Sequence, residues 1–156
     1  MFGEMNQMGE AQAGLPWPIL RRGSQGARVK TLQHMLRGSR DAWKSLAVDG
    51  IFGPRTEEIV RAYQDFAGLT IDGIVGRRTW SSITGGQAVG STVRRGDTGE
   101  FVKAAQNELG RHDHALVIDG IFGDKTDAAV RQFQNSVGLT VDGIVGPKTW
   151  RELITR

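Results

Sequence analysis

An all-α fold built as two small three-helix bundles in tandem is predicted by three observations. An eight-residue phrase is written four times, as DGIFGPRT at 49–56, DGIVGRRT at 72–79, DGIFGDKT at 119–126 and DGIVGPKT at 142–149. The phrase starts are 23, 47 and 23 residues apart, so the phrase is paired within a unit and the unit is duplicated. Around each phrase, apolar residues recur at helical spacing, as in Val29, Leu32 and Leu36.

Each residue type in the phrase has a physical task. Asp-Gly (Asp49-Gly50, Asp72-Gly73, Asp119-Gly120, Asp142-Gly143) is a turn signal: the carboxylate accepts from backbone N–H groups just ahead, and Gly tolerates positive φ. The second Gly suits a helix N-cap, and Pro54 and Pro147 then fall at the first helical position, where a missing N–H costs nothing. Thr56, Thr79, Thr126 and Thr149 follow in the first turn, with hydroxyls placed to reach back toward the phrase Asp. The phrase reads as a loop that launches a helix.

In chain order, residues 1–16 are expected to form a mobile tail, having no clear period, and unit 1 spans 17–84. Its helices are predicted over 27–37, 54–67 and 77–84. Ile59, Tyr63 and Phe66 form the buried stripe of the second, Gly68 stops it with Leu69 as the apolar contact, and Trp80 and Ile83 lie on the third. Residues 38–47 are a polar loop in which Trp43 is expected to be exposed. GGQAVGST at 85–92 is a flexible linker, and unit 2 spans 93–156. The stretches 48–80 and 118–150 share 19 of 33 residues, while the offset between units drops from 73 to 70 after the first helix. The loop there is therefore three residues shorter in unit 2.

No run approaches the roughly 18 apolar residues of a membrane span. The absence of cysteine removes disulfides and thiolate chemistry, and the opening residues lack the basic start and apolar core of a secretory signal. The formal charge of +3 is uneven: residues 17–84 carry 11 Lys/Arg against 6 Asp/Glu, residues 91–156 carry 9 against 9. A basic first unit favours an anionic partner, either nucleic acid or an acidic wall polymer. Specific nucleic-acid reading needs a recognition helix or stacking aromatics, and neither is evident beside Arg21, Arg22, Arg28, Arg37, Arg40 and Lys44.

The order Gly-x-x-Gly, Val, Leu-Gln, Leu, DG-x-FG-x-x-T, FQ, GL-x-x-DGIVG-x-x-TW, written twice over about 20–84 and 91–154, resembles the small three-helix peptidoglycan-binding domain of amidases, carboxypeptidases, spore-cortex lytic enzymes and endolysins. The resemblance implies a monomeric, non-catalytic tandem wall anchor without cofactor or metal. Peptidoglycan would be its partner, a separate lytic enzyme or assembly component a further one, and its place the cell wall, another extracytoplasmic site or a phage particle. The alternative is a partner-docking or assembly component that reuses the fold.

Four Asp in one repeated turn context argue against catalysis, which needs carboxylates in unlike environments. Phrase residues after Asp are apolar, so calcium ligands are missing. His112, Asp113 and His114 fall short of a three-ligand zinc set and read as a solvated loop. Trp80 and Trp150 read as core. Gln33, Gln64, Gln106 and Gln134 either hold loop backbone or point into a groove. A shallow groove is expected between the first helix and the phrase loops, with Trp43, Phe52, Tyr63 and Gln64 in unit 1 and Phe122, Phe133 and Gln134 in unit 2 as ligand-binding residues. Phe52 and Phe122 have core packing as their other reading.

Overall fold

The computed structural model describes residues 15–85 and 90–156; nearly all of the expected tail and the middle of the expected linker, 86–89, lie outside them. Unit 1 contains α1 (Ala27–Ser39), α2 (Pro54–Phe66) and α3 (Arg77–Gly85), and unit 2 contains α4 (Glu100–Arg111), α5 (Asp124–Ser136) and α6 (Pro147–Thr155). One 3-10 turn, Asp41–Trp43, follows α1. Gly53, Gly123 and Gly146 are extended N-caps, and Pro54 and Pro147 open their helices. Gly68 ends α2 at φ 73°, with Leu69 N–H reaching Gln64 O at 2.8 Å and Gly68 N–H reaching Asp65 O at 3.2 Å, a left-handed stop that satisfies two orphan carbonyls. Gly138 repeats it on α5.

The chain before each first helix ties the phrases together. Leu20 pairs antiparallel with Val75 and Gln25 with Ile51; Val93 pairs with Val145 and Thr98 with Ile121. Val29, Leu32, Leu36, Ile59, Val60, Tyr63, Trp80 and Ile83 are buried beneath these ties, as are Val102, Leu109, Val130, Phe133, Trp150 and Leu153 in unit 2. The indole N–H of Trp80 donates to Pro18 O (2.8 Å) and that of Trp150 to Ser91 O (2.7 Å), so each large core ring also fastens its unit's entry.

Two expectations are corrected. Phe66 is 56% exposed, because the α2 stripe runs through Thr56, Ile59, Val60, Tyr63 and Gln64, and position 66 turns off it. Trp43 is only 8% exposed. Arg37 donates to the carbonyls of Lys44 and Leu46 and folds the long loop back, so that Trp43 meets Tyr63 edge-on at 6.2 Å. The Arg40 guanidinium sits over both Trp43 and Phe66.

The units meet along α1 and α4 in a seam that swaps corresponding positions. With the 73-residue offset, Arg28 corresponds to Phe101 and Gly38 to Arg111. Phe101 packs on Gly38, and Arg28 lies near Arg111. Likewise, His34 bonds Glu100 (2.8 Å), while their counterparts Asn107 and Ala27 bond through Asn107 Nδ2 and Ala27 O (2.8 Å). Paired exchanges of this kind define a pseudo-twofold axis, the geometry of a symmetric dimer within one chain. Thr31 donates to the fully buried Glu108 (2.6 Å) at its centre. Arg28 and Arg111 are tolerated side by side because both donate to the last carbonyls of α6, Ile154 O and Leu153 O, at its negative end.

Candidate functional site

The four phrases are each held by one glutamine. Gln33 Nε2 donates toward Asp49 Oδ1, Ile51 O and Thr56 Oγ1, all at 3.1 Å, and Gly50 N–H donates to Gln33 Oε1 at 3.0 Å. Gln64 makes the same set with Asp72, Ile74, Thr79 and Gly73. Gln106 does so with Asp119, Ile121, Thr126 and Gly120, and Gln134 with Asp142, Ile144, Thr149 and Gly143. In every copy the Asp Oδ1 also accepts from the Ile N–H two residues on. The phrase Thr therefore meets the Gln amide instead of reaching the Asp directly.

A primary amide suits this place because it donates and accepts at once, matching a turn that offers both kinds of group. The glycine of each turn has φ between 73° and 76°, a left-handed conformation with little strain only for Gly. The carboxyls of Asp49 and Asp119 are held below their usual range by the Ile N–H first and the Gln amide second. That of Asp142 is lowered chiefly by the Ile144 N–H. These groups are anionic turn anchors, each in its own copy, and no two copies converge on one cleft.

The expected ligand-binding residues lie inside the units. Phe52, Tyr63, Gln64, Phe122, Phe133 and Gln134 are each at most 2% exposed, and the two glutamines are saturated by their turns. Tyr63 bonds Ser82 Oγ at 2.7 Å. In unit 2 the shorter loop lays His112 on Phe133, ring centres 4.9 Å apart, and the imidazole bonds Leu153 O. His112 thus covers the α5 aromatic as Trp43 covers the α2 one. Among the described residues no group of three or more metal-ligating side chains is assembled. The basic run of the first third is largely spent: Arg28 and Arg37 hold backbone, Arg22 pairs Glu57, and Lys44 pairs Asp41.

The open surface lies beside the glutamine-held turns. In unit 1 two adjoining clefts run between the end of α2 and the start of α3, around Leu69, Arg77 and Arg78. In unit 2 they run beside the short loop and the start of α5, around Ala115, Leu116 and Lys125. Arg77, Arg78, Ala115 and Lys125 differ from their counterparts Pro147, Lys148, Ser45 and Arg55, and sequence reasoning passed over them.

A twice-written three-helix module with glutamine-held turns and shallow surface clefts is the class of protein that the fold defines. The model of a family described as putative peptidoglycan binding domain matches residues 25–83 and 98–153, well over half of the chain, which belongs to this family. A probable N-acetylmuramoyl-L-alanine amidase of Bacillus licheniformis is 30% identical over 160 residues, covering 88% of this chain and 45% of that protein. A zinc D-Ala-D-Ala carboxypeptidase of Streptomyces albus G is 34% identical over 90 residues, 56% of this chain and 32% of its own length. The chain thus spans less than half of either enzyme. A crystal structure of a peptidoglycan-binding protein from Clostridioides difficile, in complex with glutamine hydroxamate, is 46% identical over 40% of each chain, with a TM-score of 0.40.

Proposed function

We propose that this chain binds bacterial cell-wall peptidoglycan through its two repeats, 17–84 and 93–156, without catalysing a reaction, and holds a lytic or envelope-associated activity on the wall. The observation that carries this reading is the pair of consecutive family matches. The commitment of all four phrase carboxylates to backbone turns supports a binding role over a hydrolytic one. Trp43, Phe52, Tyr63, Gln64, Phe122, Phe133 and Gln134 act as the inner support of the binding surfaces, and the clefts beside them make the contact. The place of action is the cell wall or another extracytoplasmic site.

Two modest sites in one chain gain from effective concentration on a repeating polymer. The chain mixed with purified sacculi is expected to pellet with them and to stay bound at high salt, since cleft contacts are screened less than surface charge. Recovery in the supernatant would instead favour docking to a protein partner. That second reading draws on one observation, the exposed apolar group of Val117, Ile118 and Ile121 in unit 2.

A further inference from the structure

The clefts described above lie in different places in the two units. In unit 1 adjoining clefts of about 610 and 380 Å3 share Leu69, Arg77 and Arg78. The corresponding positions of unit 2 carry Val137 for Ala67, Arg151 for Ser81, Glu152 for Ser82 and Thr155 for Gly85, four larger side chains. It also replaces the Arg77-Arg78 pair by Pro147-Lys148. Unit 2 opens instead where its loop is shorter, in clefts of about 340 and 350 Å3 whose rim mixes Lys125 with Asp113, Asp119 and Asp124.

The unit 1 groove has a definite chemistry. Arg77 and Arg78 are exposed on its wall, and Arg78 forms no ion pair among the described residues. The acid on its rim, Asp72, has Oδ1 occupied by the Gln64 amide and the Ile74 N–H. Ala67 and Leu69 give a small apolar floor, and Thr70 and Ser81 place exposed hydroxyls beside it. A guanidinium fork matches a carboxylate in two parallel hydrogen bonds, which an ammonium does not. An alanine-sized side chain fits the floor, and the hydroxyls suit a peptide amide.

We propose that this groove is a site for a peptide ending in a free carboxylate, gripped by Arg78 beside Arg77, and that unit 2 lacks it. The site rests on the cell-wall reading for the natural source of such a peptide, a wall stem peptide; the C-terminus of a partner protein would offer the same chemistry.

The test is an NMR titration of the full chain with acetyl-capped dialanine, in L,L and D,D forms, as free acid and as C-terminal amide. The free acid is expected to shift the amide signals of Leu69, Arg78 and Ser81. Amidation should weaken binding about tenfold, the size of losing one charge-assisted pair. R78Q, at an exposed position, should lose the acid preference, and S81R, which installs the unit 2 residue, should close the groove. Preference for the D,D form points to the wall as source, and preference for the L,L form to a protein C-terminus. Equal binding of acid and amide, shifts confined to unit 2, unchanged affinity in R78Q, or no response at millimolar acid would overturn the proposal. Sacculus pelleting separates it from the reading beneath: peptide binding without retention on sacculi keeps the site and removes the wall, and retention without peptide binding does the reverse.

Discussion

Unit 1 and unit 2 keep the same skeleton and differ in what covers it. Both retain the glutamine-held turns, the left-handed helix stops and the buried tryptophan that fastens the entry segment. They part at the lid over the second helix, where Trp43 lies on Tyr63 in one and His112 on Phe133 in the other. They part again at the third helix, where Ser81 and Ser82 stand at the positions of Arg151 and Glu152. The difference teaches that turn chemistry is fixed by backbone satisfaction, which leaves few alternatives, whereas an exposed cleft position such as Ser81 meets no such demand.

The strongest way to break the correspondence is to remove the tryptophans. Trp80→Ala and Trp150→Ala should each cost about 3–5 kcal/mol by cavity formation. Trp80→Ala should cost the more, because Trp17 stacks on Trp80 at 6.1 Å and the matching position in unit 2 is Gly90. Chemical denaturation of the two variants side by side measures the gap, and equal losses would remove the stack from the account.

A smaller effect is expected at the turns. Gln64→Ala leaves Gly73 N–H and the Ile74 carbonyl without their partner and should cost about 2–3 kcal/mol, with Gln134→Ala matching it closely. A difference beyond 1 kcal/mol by the same denaturation measurement would show that the turns are not equivalent.

The smallest effect sits in the seam and is read through pH. Burial lowers the pKa of His34 from 6.5, outweighing the Glu100 bond, while Arg37 and Lys103 lower it further. The unfolded chain therefore takes up this proton first, so the contribution is present above about 6.5 and is lost as pH falls through the folded value. Asp49, Asp119 and Asp142, depressed in the fold, lose theirs only as pH drops below the ordinary carboxylate range. Glu108, whose carboxyl is pushed up by burial, acts with the opposite sign in both proteins, so from about pH 7.5 to 5.5 the urea midpoint of the parent should lose ground relative to that of His34→Gln. Identical slopes would take His34 out of the explanation.

Much of the fold was legible because the repeat exposes it. The phrase spacing located the helix starts, and Gly68 and Pro54 marked a stop and a start through backbone rules that need no partner. The glutamines stood at matching positions, but their partners lie 8 to 23 residues away across a turn, so the two readings open to them needed coordinates. Trp43 misled because a loop rich in polar residues gives no sign of the Arg37 bonds that fold it inward. The clefts were invisible for the opposite reason: a repeat draws attention to sameness, and Arg78 and Ser81 stand out only by contrast with Lys148 and Arg151.

The seam has one more consequence. Because α1 and α4 mate through exchanged counterparts, the two halves are joined through the helices themselves. A chain severed between the two units should therefore leave a nicked but intact particle. The covalent connection then serves to make assembly independent of dilution, while the packing of Phe101 on Gly38 and the buried polar contacts hold the two halves together.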